Sequence, residues 1–136
     1  MNTLRSVCAM ALLAAAIPAL QAATAASTGF DRTDLLLHDM PEIGRQVLQT
    51  RFDIGPGAAS PEHRHPGVEI AHVLQGTLEY RLEGQAPVTL KAGDSLFIPA
   101  GIFHIARNVG SGTASELATY ILEPGKPTLE LASHGR

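Results

Sequence analysis

Residues 57–76 read G-A-A-S-P-E-H-R-H-P-G-V-E-I-A-H-V-L-Q-G, and the fold turns on how they are read. His63 and His65 are separated by one residue, and Glu69 follows four residues later. Side chains alternate faces along an extended chain, so the two histidines point the same way. Glu69 has the same parity and joins them once the chain turns at Pro66-Gly67. Two imidazoles and a carboxylate converging on one point suit a divalent metal that takes nitrogen and oxygen donors.

Outward from this stretch, the pattern is that of β-structure. On one side, 45–54 (R-Q-V-L-Q-T-R-F-D-I) alternates, with Leu48, Thr50, Phe52 and Ile54 on one face and Val47, Gln49, Arg51 and Asp53 on the other. That period of two predicts a half-buried strand, closed by the turn Gly55-Pro56-Gly57. On the other side, 68–74 and 77–82 flank Gln75-Gly76, which reads as a tight hairpin. Such a hairpin sets Val73 opposite Leu78, Ala71 opposite Tyr80 and Glu69 opposite Leu82, which places Tyr80 on the metal side and His72 and Glu79 on the other. Further strands are predicted at 88–90, 95–98, 102–109 and 115–123, each separated by Gly- or Pro-containing turns. Short strands every 8 to 12 residues predict an all-β sandwich or barrel. Residues 26–44 read as an N-terminal arm or strand, 45–124 as the barrel and 125–136 as a C-terminal tail.

The second informative block is 93–108, G-D-S-L-F-I-P-A-G-I-F-H-I-A-R-N. The two blocks together resemble the cupin superfamily. Gly57, His63, His65, Glu69 and Gly76 fill the first motif, G-x5-H-x-H-x3-E-x6-G; Gly93, Pro99, Gly101, His104 and Asn108 fill the second, G-x5-P-x-G-x2-H-x3-N. The spacer is short, as in small single-domain bacterial cupins of the quercetin-dioxygenase-like type. The resemblance implies a cupin jelly roll of two antiparallel sheets, with one divalent transition metal (Fe, Mn, Ni, Cu or Zn) held inside by His63, His65, Glu69 and His104. A closed double-sheet fold brings distant inward faces together, so His104 can complete a set begun at His63. Three imidazoles and one carboxylate leave positions open for water, oxygen or substrate, unlike a closed structural zinc site. The glycines and Pro99 read as backbone devices, Asn108 as a turn-holding hydrogen-bonder, and His38, His72 and His134 as surface or packing residues.

The pocket around the metal is expected to be apolar, walled by Ala71, Val73, Leu78 and Leu82, with Phe97 or Phe103 added. Tyr80 is the candidate catalytic residue, as a hydrogen-bond donor or general acid beside the metal. Arg51 is a second candidate, as an anchor for a carboxylate, if the polar face of its strand turns inward.

The N-terminus is of another kind. One positive charge at Arg5 precedes the uncharged apolar run 6–20, and small residues follow, with cleavage expected near Ala22 or Ala25. Pro18 and Gln21 interrupt the run before the roughly 20 residues a spanning helix needs, so 1–25 reads as a signal peptide and not a membrane anchor. The single cysteine, Cys8, lies in this segment, which leaves the mature chain without disulfide or thiolate ligand. The 136-residue chain carries a net charge of −3 with no basic stripe, which argues against a nucleic-acid partner. The expected protein is an exported, periplasmic metal-binding cupin acting on a small organic molecule by dioxygenase-like chemistry. The alternatives are a non-catalytic periplasmic metal or small-molecule binder, and a metal-dependent isomerase, lyase or decarboxylase. A homodimer is expected from the resemblance alone.

Overall fold

A computed structural model of the chain describes residues 29–133; the signal-peptide reading of 1–25 and His134 lie outside them. Two five-stranded antiparallel sheets make up the described chain. The strands are β1 (Phe30–Met40), β2 (Arg45–Ile54), β3 (His63–Arg64), β4 (Val68–Gln75), β5 (Thr77–Leu82), β6 (Val88–Lys91), β7 (Ser95–Ile98), β8 (His104–Asn108), β9 (Ala114–Leu122) and β10 (Glu130–Leu131). One sheet runs β1-β2-β9-β4-β7 and the other β10-β3-β8-β5-β6. This is the double-sheet jelly roll, and its two inward faces meet in the core.

The period-two patterning determines which side chains fill that core. Along β2, Leu48, Thr50 and Ile54 are buried and Phe52 packs against them, whereas Arg51 faces out. Along β5, Leu78, Tyr80 and Leu82 point inward, where they meet Ala71 and Val73 of β4 and Ile98 of β7. Burying such side chains contributes roughly 1.5–3 kcal/mol each. Asn108 ends β8 in the manner its motif position suggests: its Nδ2 donates to the Ile54 and Gly112 carbonyls at 2.7 and 2.8 Å, and its Oδ1 accepts from Gly110 N–H at 2.8 Å.

Three expectations need correcting. Gln75-Gly76 is not a hairpin turn, because β4 and β5 are not paired: β4 lies between β9 and β7, and β5 between β8 and β6. The chain passes from one sheet to the other at Gly76, whose φ is +79° and whose added Cβ would lie 2.8 Å from the Ala114 backbone. Tyr80 therefore stands opposite Ala106 and Val88, not Ala71; it still faces inward because alternation along β5 alone decides that. Phe97 is 57% exposed on the outer face of β7 and walls nothing, and Phe103 lies under the Arg64 guanidinium at 4.8 Å. The stretch after Pro124 does not trail away: β10 pairs with β3, and Arg64 bonds the Glu130 carboxylate at 2.7–2.8 Å.

Candidate metal centre

His63 and His65 sit on and just after β3, Glu69 on β4 and His104 at the start of β8. The first and third of these strands pair directly, with His63 opposite His104. Glu69 reaches the group from the facing sheet. Each residue offers a ligand atom, and these atoms all lie within 4.8 Å of one another. His65, Glu69 and His104 are each 3% exposed.

The hydrogen bonds orient the rings. The Nδ1 of His63 meets the Pro61 carbonyl at 2.8 Å, that of His65 the Thr128 carbonyl at 2.6 Å, and that of His104 the Ile102 carbonyl at 3.0 Å. A carbonyl can only accept, so each Nδ1 carries the proton, and the neutral ring then has a bare lone pair at Nε2. The Nε2 atoms of His65 and His104 lie 3.1 and 3.2 Å from Glu69 Oε2. Even so, His65 Nε2 and Glu69 Oε2 are buried without a hydrogen-bond partner among the described residues. Lone pairs and a carboxylate oxygen converging with no proton between them are what a cation would satisfy. The donor set therefore fits one divalent transition metal ion of borderline character.

The electrostatics agree. Burial pushes His63 down to about 4, so it is neutral at ordinary pH. Burial alone would raise Glu69, and positive charge at the facing His104 and His65 rings lowers it, which is the effect a bound cation would have there.

Two neighbours that the sequence reading passed over lie beside this group, both on β9. Glu116 is a buried carboxyl held well above its usual range, by burial first and then by the negative charge of Glu69. Tyr120 packs against His65 with the rings tilted and their centroids 4.6 Å apart. Their signal was present: 114–122 alternates, and Glu116 and Tyr120 share the inward register with Ala114, Ala118 and Leu122. An acid in the apolar register of a strand is the feature to notice. Tyr80 is buried in the same region, its phenol pushed far up by burial and by Glu116. Its hydroxyl has no hydrogen-bond partner among the described residues. Tyr80→Phe is therefore expected to change the thermal stability by no more than about 1 kcal/mol, since the hydroxyl faces the Glu116 carboxyl without a well-formed hydrogen bond. A melting temperature clearly below that of the wild type would show that the hydroxyl is bonded after all.

Arg51 is not at the site. It lies on the outer face of β2, where it bonds Asp53 at 2.8 Å and reaches Ser115. His72 also faces away, its Nδ1 set against Ser95 Oγ at 2.8 Å.

A pocket of about 70 Å³ opens onto the histidine edge of the group. His63, His65 and Tyr120 form its inner end, Phe30, Phe52, Pro61 and Leu129 its apolar walls, and Arg32, Ser60 and Thr128 its polar points. A single water needs roughly 10–15 Å³ on this measure, so the space suits a ligand of a few heavy atoms.

The comparisons with known proteins point the same way. The family model described as "Cupin domain" matches residues 50–120, just over half of the chain. Germin-like protein 5-1 of Oryza sativa subsp. japonica is 33% identical over 91 residues, which are 62% of this chain and 41% of that protein. The chain thus spans less than half the length of such relatives. Among solved structures, recombinant oxalate oxidase in complex with glycolate superposes with a TM-score of 0.63 at 26% identity, covering 79% of this chain and 57% of that one. A predicted oxalate decarboxylase from Thermotoga maritima gives a TM-score of 0.60 at 30% identity, covering 68% of this chain and 80% of that one. The matched span takes in all four residues of the metal group and both glycine-led blocks, and the chain belongs to the cupin domain family.

Proposed function

We propose that this protein is a metal-dependent enzyme that oxidises a small organic molecule at the His63, His65, Glu69 and His104 group. The observation that carries the reading is the set of Nε2 lone pairs converging on a buried carboxylate, with a small pocket lying against His63 and His65. When bound, a redox-active metal supplies electron transfer and a Lewis-acid contact for substrate and dioxygen. The chain's own residues do the positioning. The carbonyls of Pro61, Thr128 and Ile102 lock the three rings in one tautomer and orientation. Phe30, Phe52 and Leu129 keep the approach apolar and limit substrate size.

The pocket lining supports oxidation over isomerase chemistry, because apart from the metal group it offers only Tyr120 as an acid. One observation favours a second reading, a metal-assisted decarboxylation or proton transfer: a second carboxyl, Glu116, is buried beside the metal group, where burial and Glu69 raise it above its usual range. Oxygen uptake by iron- or manganese-loaded protein, measured with a panel of small organic acids, alcohols and diketones, separates the two. Substrate-dependent uptake that His104→Ala abolishes supports the first. Substrate turnover without oxygen consumption supports the second, and binding with no turnover leaves a non-catalytic binding protein.

Acidity provides a further test. His63 titrates at about 4 when folded and at 6.5 in its ordinary state. As pH falls through that window the unfolded chain takes up this proton first, so the metal-free protein is expected to lose stability from pH 6.5 down to about 4 and no further on this account. Proton competition for His63 begins only near the lower value. Metal content after dialysis is thus expected to hold at about pH 5.5 and to drop at about pH 4. An acid loss of stability in the metal-free protein that His63→Ala leaves unchanged would contradict a neutral His63.

We also propose that the protein acts after export to the periplasm, on the strength of the charged start and apolar run of 1–25. N-terminal sequencing of protein from a periplasmic extract should begin after Ala22 or Ala25. A homodimer has a surface available to it: edge strand β1 is exposed along nearly its whole length and carries Leu35, Leu36 and Leu37.

A further inference from the structure

We infer that Arg32, on β1, is a second anchor of this site: it recognises a carboxylate on a small ligand whose other end lies at the His63 and His65 edge of the pocket. The inference rests on the metal reading above and adds the class of ligand. Arg32 stands outside the matched span of 50–120.

The register of β1 on β2 fixes its direction. Arg32 pairs with Phe52, and its neighbours of like parity, Phe30 and Asp34, pair with Ile54 and Thr50. Directly opposed residues share a face of the sheet. Ile54 and Thr50 are fully buried, so this is the inward face, and Arg32 stands on it at the pocket mouth.

The side chain is also held. Its Nε donates to Asp34 Oδ1 at 2.9 Å, and the same oxygen accepts from Thr50 Oγ1 at 2.9 Å. A buried hydroxyl thereby fastens the carboxylate that fastens the guanidinium. Asp34 stays ionised, its carboxyl lowered by Arg32 and then by Thr50. No contact to either terminal nitrogen of Arg32 is present among the described residues. That leaves a planar pair of N–H donors, which matches the two oxygens of a carboxylate better than a point charge would.

The two ends belong to one space. Tyr120 lies between them: its ring meets His65, and the charge of Arg32 partly offsets the burial that raises its phenol. The walls between are aromatic and aliphatic, and Arg32, 41% exposed, stands at their solvent end, where two N–H donors and not a low dielectric make the contact. The volume of about 70 Å³ limits the ligand to a short molecule, anionic at the Arg32 end and lying against His63 and His65 at the other.

The test compares dicarboxylates with their half-amides, which keep one carboxylate for the metal end and offer Arg32 a neutral group. Malonate, succinate, malonamate and succinamate are titrated by calorimetry into manganese-loaded wild type, Arg32→Leu and Arg32→Lys, and metal content is measured on each sample. At equal metal content, the wild type is expected to prefer one dicarboxylate over its half-amide on the order of 10- to 100-fold. Arg32→Leu should lose that preference and Arg32→Lys keep part of it. A wild type that does not discriminate, or an Arg32→Leu protein that discriminates equally with its metal intact, overturns the anchor. A wild type that takes up no manganese or other divalent metal sinks the metal reading itself, and this proposal with it.

Discussion

Replacing His63 and His104 together by alanine is expected to leave the purified protein with background metal, where the wild type holds about one ion per chain. The two residues face each other across the β3–β8 pair, so the double substitution removes a whole side of the group. Loss of an outer partner of a metal ligand typically weakens binding about 10–100-fold, and loss of two ligands should exceed that. The melting temperature provides an independent check. A metal at about 1,000 times its dissociation constant stabilises the folded state by about 4 kcal/mol, so added metal should raise the melting temperature of the wild type and leave that of the double variant unmoved. Metal analysis showing equal content in both proteins would remove these residues from the site. The single variants matter as well, because His104 is buried and its loss leaves a cavity, whereas His63 is partly open to the pocket.

Gly67→Ala is expected to be the most damaging single methyl in the described chain. An added Cβ there would lie 2.0 Å from the Ile121 carbonyl oxygen and 2.9 Å from its carbon, so β9 must move. Backbone cannot give way as a flexible side chain does, and forced overpacking costs about 3 kcal/mol or more in such a case. For a domain of this size that is a fall of roughly 10–20 °C in melting temperature. The functional cost is of another kind. Gly67 lies between His65 and Glu69, so the shift that relieves the clash also changes the spacing of two ligands. Metal content should therefore fall further than in a distant variant of equal stability, such as one trimmed at Leu48. A Gly67→Ala protein with wild-type melting and metal content would show that β9 has more room at Ile121 than the packing implies.

Much of this site was legible in the chain. Parity alone put His63 and His65 on one face, and the motif spacing supplied Glu69 and His104. Alternation grouped Leu48, Thr50, Phe52 and Ile54 on one face of β2 and Arg51 on the other, but which of the two faces is buried was decided by the packing. The groupings are local facts, set by the period of two along a single strand, and they hold whatever that strand's neighbours are. Even Tyr80 was placed inward correctly although its partner strand was wrong, because its own strand decided its direction.

Strand pairing is not local, and there the reading failed. A Gln-Gly step between two β-rich runs looks the same whether the chain folds back on itself or crosses to a facing sheet. The choice belongs to β9, which takes the place beside β4 that a hairpin would have given to β5. The same non-local choice brings Glu116 and Tyr120 against the metal group, sets Arg32 over Phe52, and folds 125–133 back so that Thr128 holds the His65 ring. No spacing along the chain encodes those contacts. The residue types and faces of the four ligands were written in the sequence by strand periodicity and motif. Which acids lie behind them, which cation stands at their entrance and which carbonyls aim their rings were decided by packing two sheets together, since only closure of the core brings residues 30–34, 63–69, 104, 116–120 and 128 to one place.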